Sequence, residues 1–156
     1  MEEQDRIAVV QQFGRTYRAF MSAFETQVGQ PMPRWRILLA LHEHAGELSQ
    51  KKLVERLRVD PGALTRQLKA LELLGWVARS TDTRDNRITN VVLTRAGAAA
   101  VEESLPRRNA FLRETMGALP ADARAALSSA LCQLETRIAQ TVEPAQKQVS
   151  TTSVTR

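Results

Sequence analysis

Asp60-Pro61-Gly62-Ala63-Leu64-Thr65-Arg66-Gln67-Leu68-Lys69-Ala70-Leu71-Glu72-Leu73-Leu74-Gly75-Trp76-Val77 decides the fold, because it reads as one short helix with a dry side and a cationic side. Asp60 suits the N-cap, Pro61 suits the first helical position where no amide partner is needed, and Gly75 suits the left-handed residue that closes the last turn. Leu64, Leu68 and Leu71 recur at i, i+4 and i+7 and define a buried stripe. At about 100° per residue, Gly62, Thr65, Arg66 and Lys69 fall on the opposite side.

That opposite side is shaped to enter a DNA major groove. Gly62 and Ala63 allow close approach, with Pro61 counted beside them among the DNA-binding residues, Arg66 and Lys69 reach base edges or phosphates, and Thr65 can do either. An ordinary amphipathic surface helix with a solvated basic face fits the same residues, so the surroundings decide. Downstream, residues 76–82 and 88–94 are rich in β-branched residues and Trp, as strands are. The connecting Thr83-Arg84-Asp85-Asn86-Arg87 is wholly polar and carries turn-forming Asp and Asn. A two-stranded ribbon whose tip presents Arg84, Asn86 and Arg87 is expected. For the two tip arginines, the spacing to Asp82 and Asp85 suggests one paired and one free. Upstream, residues 48–59 begin with a Ser49 cap and repeat Leu53 and Leu57 at i, i+4, a second short helix almost abutting the first. Gln50 and Lys51 at its start are placed to hold phosphate. Helix, tight turn, helix and basic ribbon in that order make a winged helix-turn-helix.

Val59-Asp60-Pro61-Gly62-Ala63-Leu64-Thr65-Arg66, Gly75-Trp76-Val77-Ala78-Arg79, Asp82-Thr83-Arg84-Asp85-Asn86-Arg87 and Val92-Leu93-Thr94-Arg95-Ala96-Gly97 together resemble the MarR family of bacterial winged-helix regulators. The Asp-x-Arg-Asp-x-Arg wing followed by Leu-Thr-x-x-Gly is the specific part, and the resemblance is strongest over residues 33–103. It implies a homodimer that represses or activates genes and responds to small aromatic acids or phenols. It implies that a wing arginine enters the minor groove, and that Asp60 and Arg79 form an ion pair between the start of the recognition helix and the wing strand. It also implies an effector pocket between the dimer and DNA lobes, for which Arg15, Tyr17, Arg18, Trp35, Arg36 and His42 offer aromatic walls and a cation for a carboxylate.

At 156 residues and 43% hydrophobic content, the chain is long enough for one cored domain with an association element. Residues 31–95 hold twelve Lys and Arg against seven Asp and Glu, whereas the remainder balances at ten of each. The whole formal charge of +5 therefore sits in the winged segment, which suits double-stranded DNA as the polyanion partner. Without a long apolar run or lipidation signal, no membrane partner is expected. The acidic start Met1-Glu2-Glu3-Gln4-Asp5-Arg6 does not read as a secretion signal, and a single cysteine makes no internal disulfide. A cytoplasmic location, on the nucleoid when DNA-bound, follows as the expectation.

Both ends carry helical apolar stripes. Val10, Phe13, Tyr17, Phe20 and Phe24 recur with spacings of 3 and 4, as do Leu127, Leu131, Leu134 and Ile138. The expected organisation is an N-terminal dimerisation helix (1–32), the winged DNA-binding lobe (33–97), C-terminal dimerisation helices (98–142) and a loose tail (143–156). The dimer interface then draws on Val10, Phe13, Phe20, Phe24, Leu127, Leu131, Leu134 and Ile138. Thr94 should cap the helix after the wing, Pro106 should break it near Leu105, and Pro120 should open the last one.

His42 and His44 are two apart, so on a helix they point in different directions and cannot share a metal; no cofactor is expected. Cys132 has no neighbouring cysteine to resolve a sulfenic acid. No nucleophile–base pair or glycine-rich phosphate loop stands out, so an enzyme is not expected. The reading is a mainly α winged helix-turn-helix regulator with a two-stranded β wing and a terminal-helix dimerisation lobe, most simply a repressor. Its rivals are a winged-helix protein-interaction module and a thiol sensor acting through Cys132.

Overall fold

The computed structural model describes the backbone of residues 2–152 and the side chains of residues 2–142. The chain divides into two compact units, residues 1–111 and 112–156. In order, the elements are α1 (Glu3–Val28), α2 (Met32–Glu43), β1 (Glu47–Ser49), α3 (Gln50–Leu57), α4 (Pro61–Leu73), β2 (Val77–Thr81), β3 (Thr89–Leu93), α5 (Arg95–Glu114), a 3-10 turn (Met116–Ala118) and α6 (Ala121–Thr152).

The first unit is organised around leucines. Leu38 and Leu41 of α2, Leu53 of α3, Leu64, Leu68 and Leu71 of α4 and Val91 of β3 are each no more than 1% exposed. Both ends of α4 are closed as its sequence requires. The Asp60 carboxylate accepts the Ala63 amide at 2.9 Å, and Pro61 occupies the first turn. At the other end Gly75 lies at φ +73, so its amide and that of Trp76 turn back to the Glu72 and Leu71 carbonyls at 2.9 and 3.0 Å. Ser49 caps α3 in the same way, accepting the Lys52 amide at 3.1 Å.

The sheet has three antiparallel strands in the order β1-β3-β2, one more than the expected ribbon. Leu48 and Arg79 both pair with Val91, from opposite edges of β3. The extra strand, Glu47–Ser49, is three residues long and exists because β3 offers a second edge; so short a run has no periodicity of its own. It fixes the start of α3 to the wing.

α5 departs from expectation. Thr94 caps it, its hydroxyl accepting the Gly97 amide at 3.1 Å, but the helix runs unbroken through Pro106. Proline removes one intrahelical bond, and here the freed acceptor is the carbonyl of exposed Glu102, which water can satisfy. Val101 and Ser104 before it and Phe111 after it are buried, so packing holds both halves of the helix in line. Phe111 closes an aromatic cluster with Phe20 and Phe24, with ring centroids at 5.3 and 5.8 Å.

In the second unit the Pro120 carbonyl accepts the Arg124 amide at 3.0 Å and so starts α6. The backbone of α6 stays helical past Pro144 to Thr152, where a loose tail from residue 143 was expected. Residues 153–156, the end of that expected tail, lie outside the described residues. Leu127, Leu131, Leu134 and Ile138 are 41–53% exposed along α6.

Candidate nucleic-acid interface

The outer face of α4 carries the expected groups. Pro61, Gly62, Arg66 and Lys69 are exposed, with Ala63 and Thr65 half-buried beside them. Gly62 has a local reason: a Cβ there would come within 3.0 Å of the capping Asp60 carboxylate and 3.5 Å of the Arg66 guanidinium, which folds back over it. A side chain here would make the Asp60 carboxylate give by a few tenths of an ångström, while its distance to Arg66 is ordinary van der Waals contact.

Two side chains have duties that the spacing did not reveal. Gln50 donates from its amide to the Thr65 hydroxyl at 3.0 Å, and that hydroxyl in turn donates to the Pro61 carbonyl at 3.0 Å. Gln50 therefore braces α3 against α4, and the Thr65 hydroxyl is engaged on both sides. Lys51 and Lys52 remain exposed at the start of α3. They line a cleft of about 600 Å³ with Glu55 of α3, Pro61 of α4 and Arg87 of the wing tip. The two cationic elements thus border one channel, spaced by β1.

Carboxylates organise the wing tip. Asp82 accepts the Arg84 and Asp85 amides, each at 3.0 Å, and the Asn90 side-chain amide at 2.9 Å. Asp85 accepts the Arg87 amide and guanidinium at 3.0–3.1 Å. The Asn90 amide holds the Asp82 carboxyl below the usual range, and Arg87 does the same for Asp85. Arg87 is paired, whereas Arg84 makes no ion pair among the described residues and points its charge outward. Asn86 is exposed between them.

The expected Asp60–Arg79 ion pair does not form. Asp60 and Arg79 belong to opposite ends of α4, and a 13-residue helix separates its ends by roughly 18 Å. The tight turn at Gly75 brings β2 back against the last turn instead, where Arg79 meets Glu72 at 2.7 Å. Glu72 went unnoticed in the sequence; an acid in the last turn of a helix, disfavoured by the helix dipole, was the signal that a cation sits opposite. The pair is partly buried, and the hydrogen bond from Arg79 holds the Glu72 carboxyl below its ordinary range. A carboxyl depressed on folding stabilises above its unfolded pKa of about 4.3 and loses that contribution as pH falls through the folded value. Glu72→Gln should therefore be less stable than wild type at pH 7, by up to about 1 kcal/mol after solvent screening, with the difference vanishing in acid. Urea unfolding at neutral pH and at about pH 3 checks this; a difference that does not depend on pH would refute the pairing.

Of the six residues expected for an effector pocket, the structure brings two together. Tyr17 and Arg36 line a hollow of about 540 Å³ with Met21, Met32, Asp60 and Ala63. Trp35 is core, 3% exposed, with the Arg108 guanidinium 5.8 Å above its ring. Arg15 bonds Gln12 at 2.8 Å, and Arg18 lies along Gly14. His42 lines a separate hollow with Thr94 and Arg95. The N-terminal stripe also divides. Phe24 is 1% exposed and, with Phe20, closes the chain's own core against Phe111, whereas Val10, Phe13 and Tyr17 are 50–68% exposed. Cys132 is an exposed free thiol. Among the described residues no group of three or more His, Cys, Asp or Glu is placed to hold a metal ion, and no helix is long and apolar enough to cross a membrane.

Residues 31–89, which span α2 through the wing tip, match the MarR family model. Over 115 residues the chain is 36% identical to the HTH-type transcriptional regulator YdgJ of Bacillus subtilis, covering 74% of this chain and 70% of that protein. The chain belongs to the MarR family. Members of this family are DNA-binding regulators of winged-helix architecture, and solved relatives agree in fold. A MepR-like protein crystallised with pseudoligands is 28% identical, with a TM-score of 0.68 over 88% of this chain and 97% of that one. The C80S mutant of MarR from E. coli, crystallised with operator DNA, is 24% identical, with a TM-score of 0.73 over 86% and 99%. This MarR-family chain therefore presents its basic α4 face and wing on the architecture of a transcriptional regulator.

Proposed function

We propose that the protein is a homodimeric repressor that occupies a pseudo-palindromic operator and is released by a small aromatic or carboxylate effector. The exposed Arg66–Lys69 face of α4 carries this reading, bordered by the Lys51–Lys52 end of α3 and the free Arg84 of the wing. Direct readout falls to Arg66 and Lys69 in the major groove, with the Thr65 methyl able to meet a thymine; Lys51 and Lys52 position the protein on phosphate. Arg84 and its neighbours Asn86 and Arg87 reach the minor groove where it narrows. The MarR protein crystallised with operator DNA and the MepR-like protein crystallised with pseudoligands support DNA and ligand binding by this fold.

Two exposed apolar stripes support the dimer. Val10 and Phe13 on α1, and Leu127, Leu131, Leu134 and Ile138 on α6, leave more apolar side chain in water than a monomer tolerates comfortably. Two copies place two recognition helices about 34 Å apart, one turn of the duplex. An effector releases the operator if it and DNA prefer different dimer geometries.

Footprinting on genomic fragments, followed by titration of the selected site, tests the proposal. Arg66→Ala should lose about 1–3 kcal/mol of discrimination between the operator and random duplex, whereas Lys51→Ala should weaken both alike and lower the salt dependence. Equal affinity of the wild-type protein for all sequences would leave a protein-interaction module in its place.

A further inference from the structure

α3 ends without the residue that ends a helix most easily. Leu57 is its last residue, and Arg58 takes the left-handed turn that follows, at φ 51 and ψ 51. Glycine adopts that conformation freely, whereas a side chain there crowds its own backbone. The amides of Arg58 and Val59 both turn back to the Val54 carbonyl, the second at a long 3.4 Å. The Leu57 carbonyl, like the others of a last helical turn, needs a partner from outside the helix. Pro61 then starts α4 after only Arg58, Val59 and Asp60. The direction of α4 is therefore set across a short turn with little backbone support of its own.

Arg36 supplies the outside partner. It stands on α2, 21 residues earlier, and donates from Nη2 to the Leu57 carbonyl at 2.5 Å. A charged donor bonds a carbonyl more strongly than a neutral one, and a cation suits the negative end of the α3 dipole. Arg56, beside Leu57, also meets α2 through Glu43 at 3.6 Å, but both side chains are about half exposed and water screens the pair. The buried leucines keep α2, α3 and α4 together, yet apolar burial has no direction. A hydrogen bond has one.

We infer that Arg36 is a positioning residue for DNA reading: from α2 it pins the end of α3 and so fixes the angle at which α4 meets the major groove. This rests on the reading that α4 selects an operator. Base edges are read over hydrogen-bond distances, so a tilt of the helix breaks those contacts. Phosphate contacts made by the long side chains of Lys51 and Lys52 tolerate the same tilt. Arg36 thus contributes to discrimination between sequences without touching a base.

Arg36→Met keeps the aliphatic stem and removes the donor, and Arg36→Lys puts a charged donor back. Arg36 is exposed, so both full-length variants should fold. Arg36→Met should bind the footprinted operator about tenfold more weakly and random duplex within about twofold of wild type, with the salt dependence unchanged. Arg36→Lys should recover most of the operator affinity. If random duplex weakens as much as operator and the salt slope falls by about one, Arg36 is itself a phosphate contact and the inference fails. Wild-type operator affinity in Arg36→Met overturns it too, as does an Arg36→Lys protein no better than Arg36→Met. Hydrogen exchange reads the turn without DNA. In Arg36→Met the amides of Arg58 and Val59 should exchange about tenfold faster while that of core Leu68 keeps its wild-type rate. Unchanged rates at Arg58 and Val59, or an equal rise at Leu68, would refute the pinning even in a protein that selects no DNA sequence. Should Arg36→Met not fold, Arg36→Gln, too short to reach the carbonyl, takes its place in both measurements.

Discussion

Gly97→Ala is expected to cost about 3 kcal/mol of stability and to lower the Tm by roughly 10 °C, far more than one methyl group suggests. A Cβ at this position would lie 2.1 Å from the carbonyl oxygen of Trp76 and 2.9 Å from its carbon. It would also lie 2.8 Å from Cδ1 of Leu93, but that side chain can turn away. The Trp76 backbone cannot. Its carbonyl accepts the Thr94 amide at 3.0 Å, and its own amide is bound to Leu71 at 3.0 Å as part of the α4 terminus. Thr94 meanwhile donates its hydroxyl to the Gly75 carbonyl at 2.6 Å and accepts the Gly97 amide. The first turn of α5, the end of α4 and the root of the wing are thus one joint, and the methyl group must prise it open. Gly75→Ala is the useful comparison. Gly75 has open space around its missing Cβ but sits at φ +73, so its penalty is the left-handed backbone alone, about 1 kcal/mol. Thermal melts by circular dichroism rank the two; a Gly97→Ala protein melting within a degree or two of wild type would mean the joint is loose.

The same joint shows what the sequence could and could not disclose. The Leu-Thr-x-x-Gly step marks positions 93–97 as special, yet the reason, the carbonyl of Trp76 on the far side of the hairpin, is a contact that only the folded chain makes. Local rules were legible where they act over three or four residues. The Asp60 and Ser49 caps, the Gly75 terminus and the outward Arg66 and Lys69 are all of that kind. They failed where a distant partner decides. β1 exists because β3 had a free edge, Arg79 found Glu72 because the turn brought β2 to the end of α4 and not to its start, and α5 passes Pro106 because Val101 and Phe111 anchor it on both sides. The aromatic period of α1 was visible, but not that Phe111 would claim its Phe20 and Phe24. For the hollow beside α4, residue type nominated Tyr17 and Arg36 together with Trp35 and His42; only burial removes Trp35 to the core.

Leu131→Asp with Leu134→Asp is expected to give a folded monomer whose affinity for the operator is at least about a thousandfold lower, the distance between specific and nonspecific DNA binding. Along α6 no described residue from Ala121 to Val142 is buried, yet Leu127, Leu131, Leu134 and Ile138 repeat on one side. A helix whose apolar stripe meets only water draws little stability from that stripe, because packing supplies most helical stability in proteins. Covering the exposed half of each such side chain contributes about 1 kcal/mol apiece, and a symmetric partner covers both copies of the stripe at once. Placing carboxylates there reverses the sign, since two charges per chain would have to leave water unpaired. The monomer itself should tolerate them: α6 has no described buried contact for the aspartates to disturb, and residues 1–111 hold the leucine core independently. One winged lobe would still meet phosphate through Lys51, Lys52 and the wing, so weak, salt-sensitive binding should persist while recognition of paired half-sites disappears. Analytical ultracentrifugation gives the mass, circular dichroism the helix content, and operator titration at fixed salt the affinity. A variant that sediments as a dimer and binds like wild type would show that the stripe on α6 is not what joins the two copies, and would throw the assembly back on Val10 and Phe13 of α1.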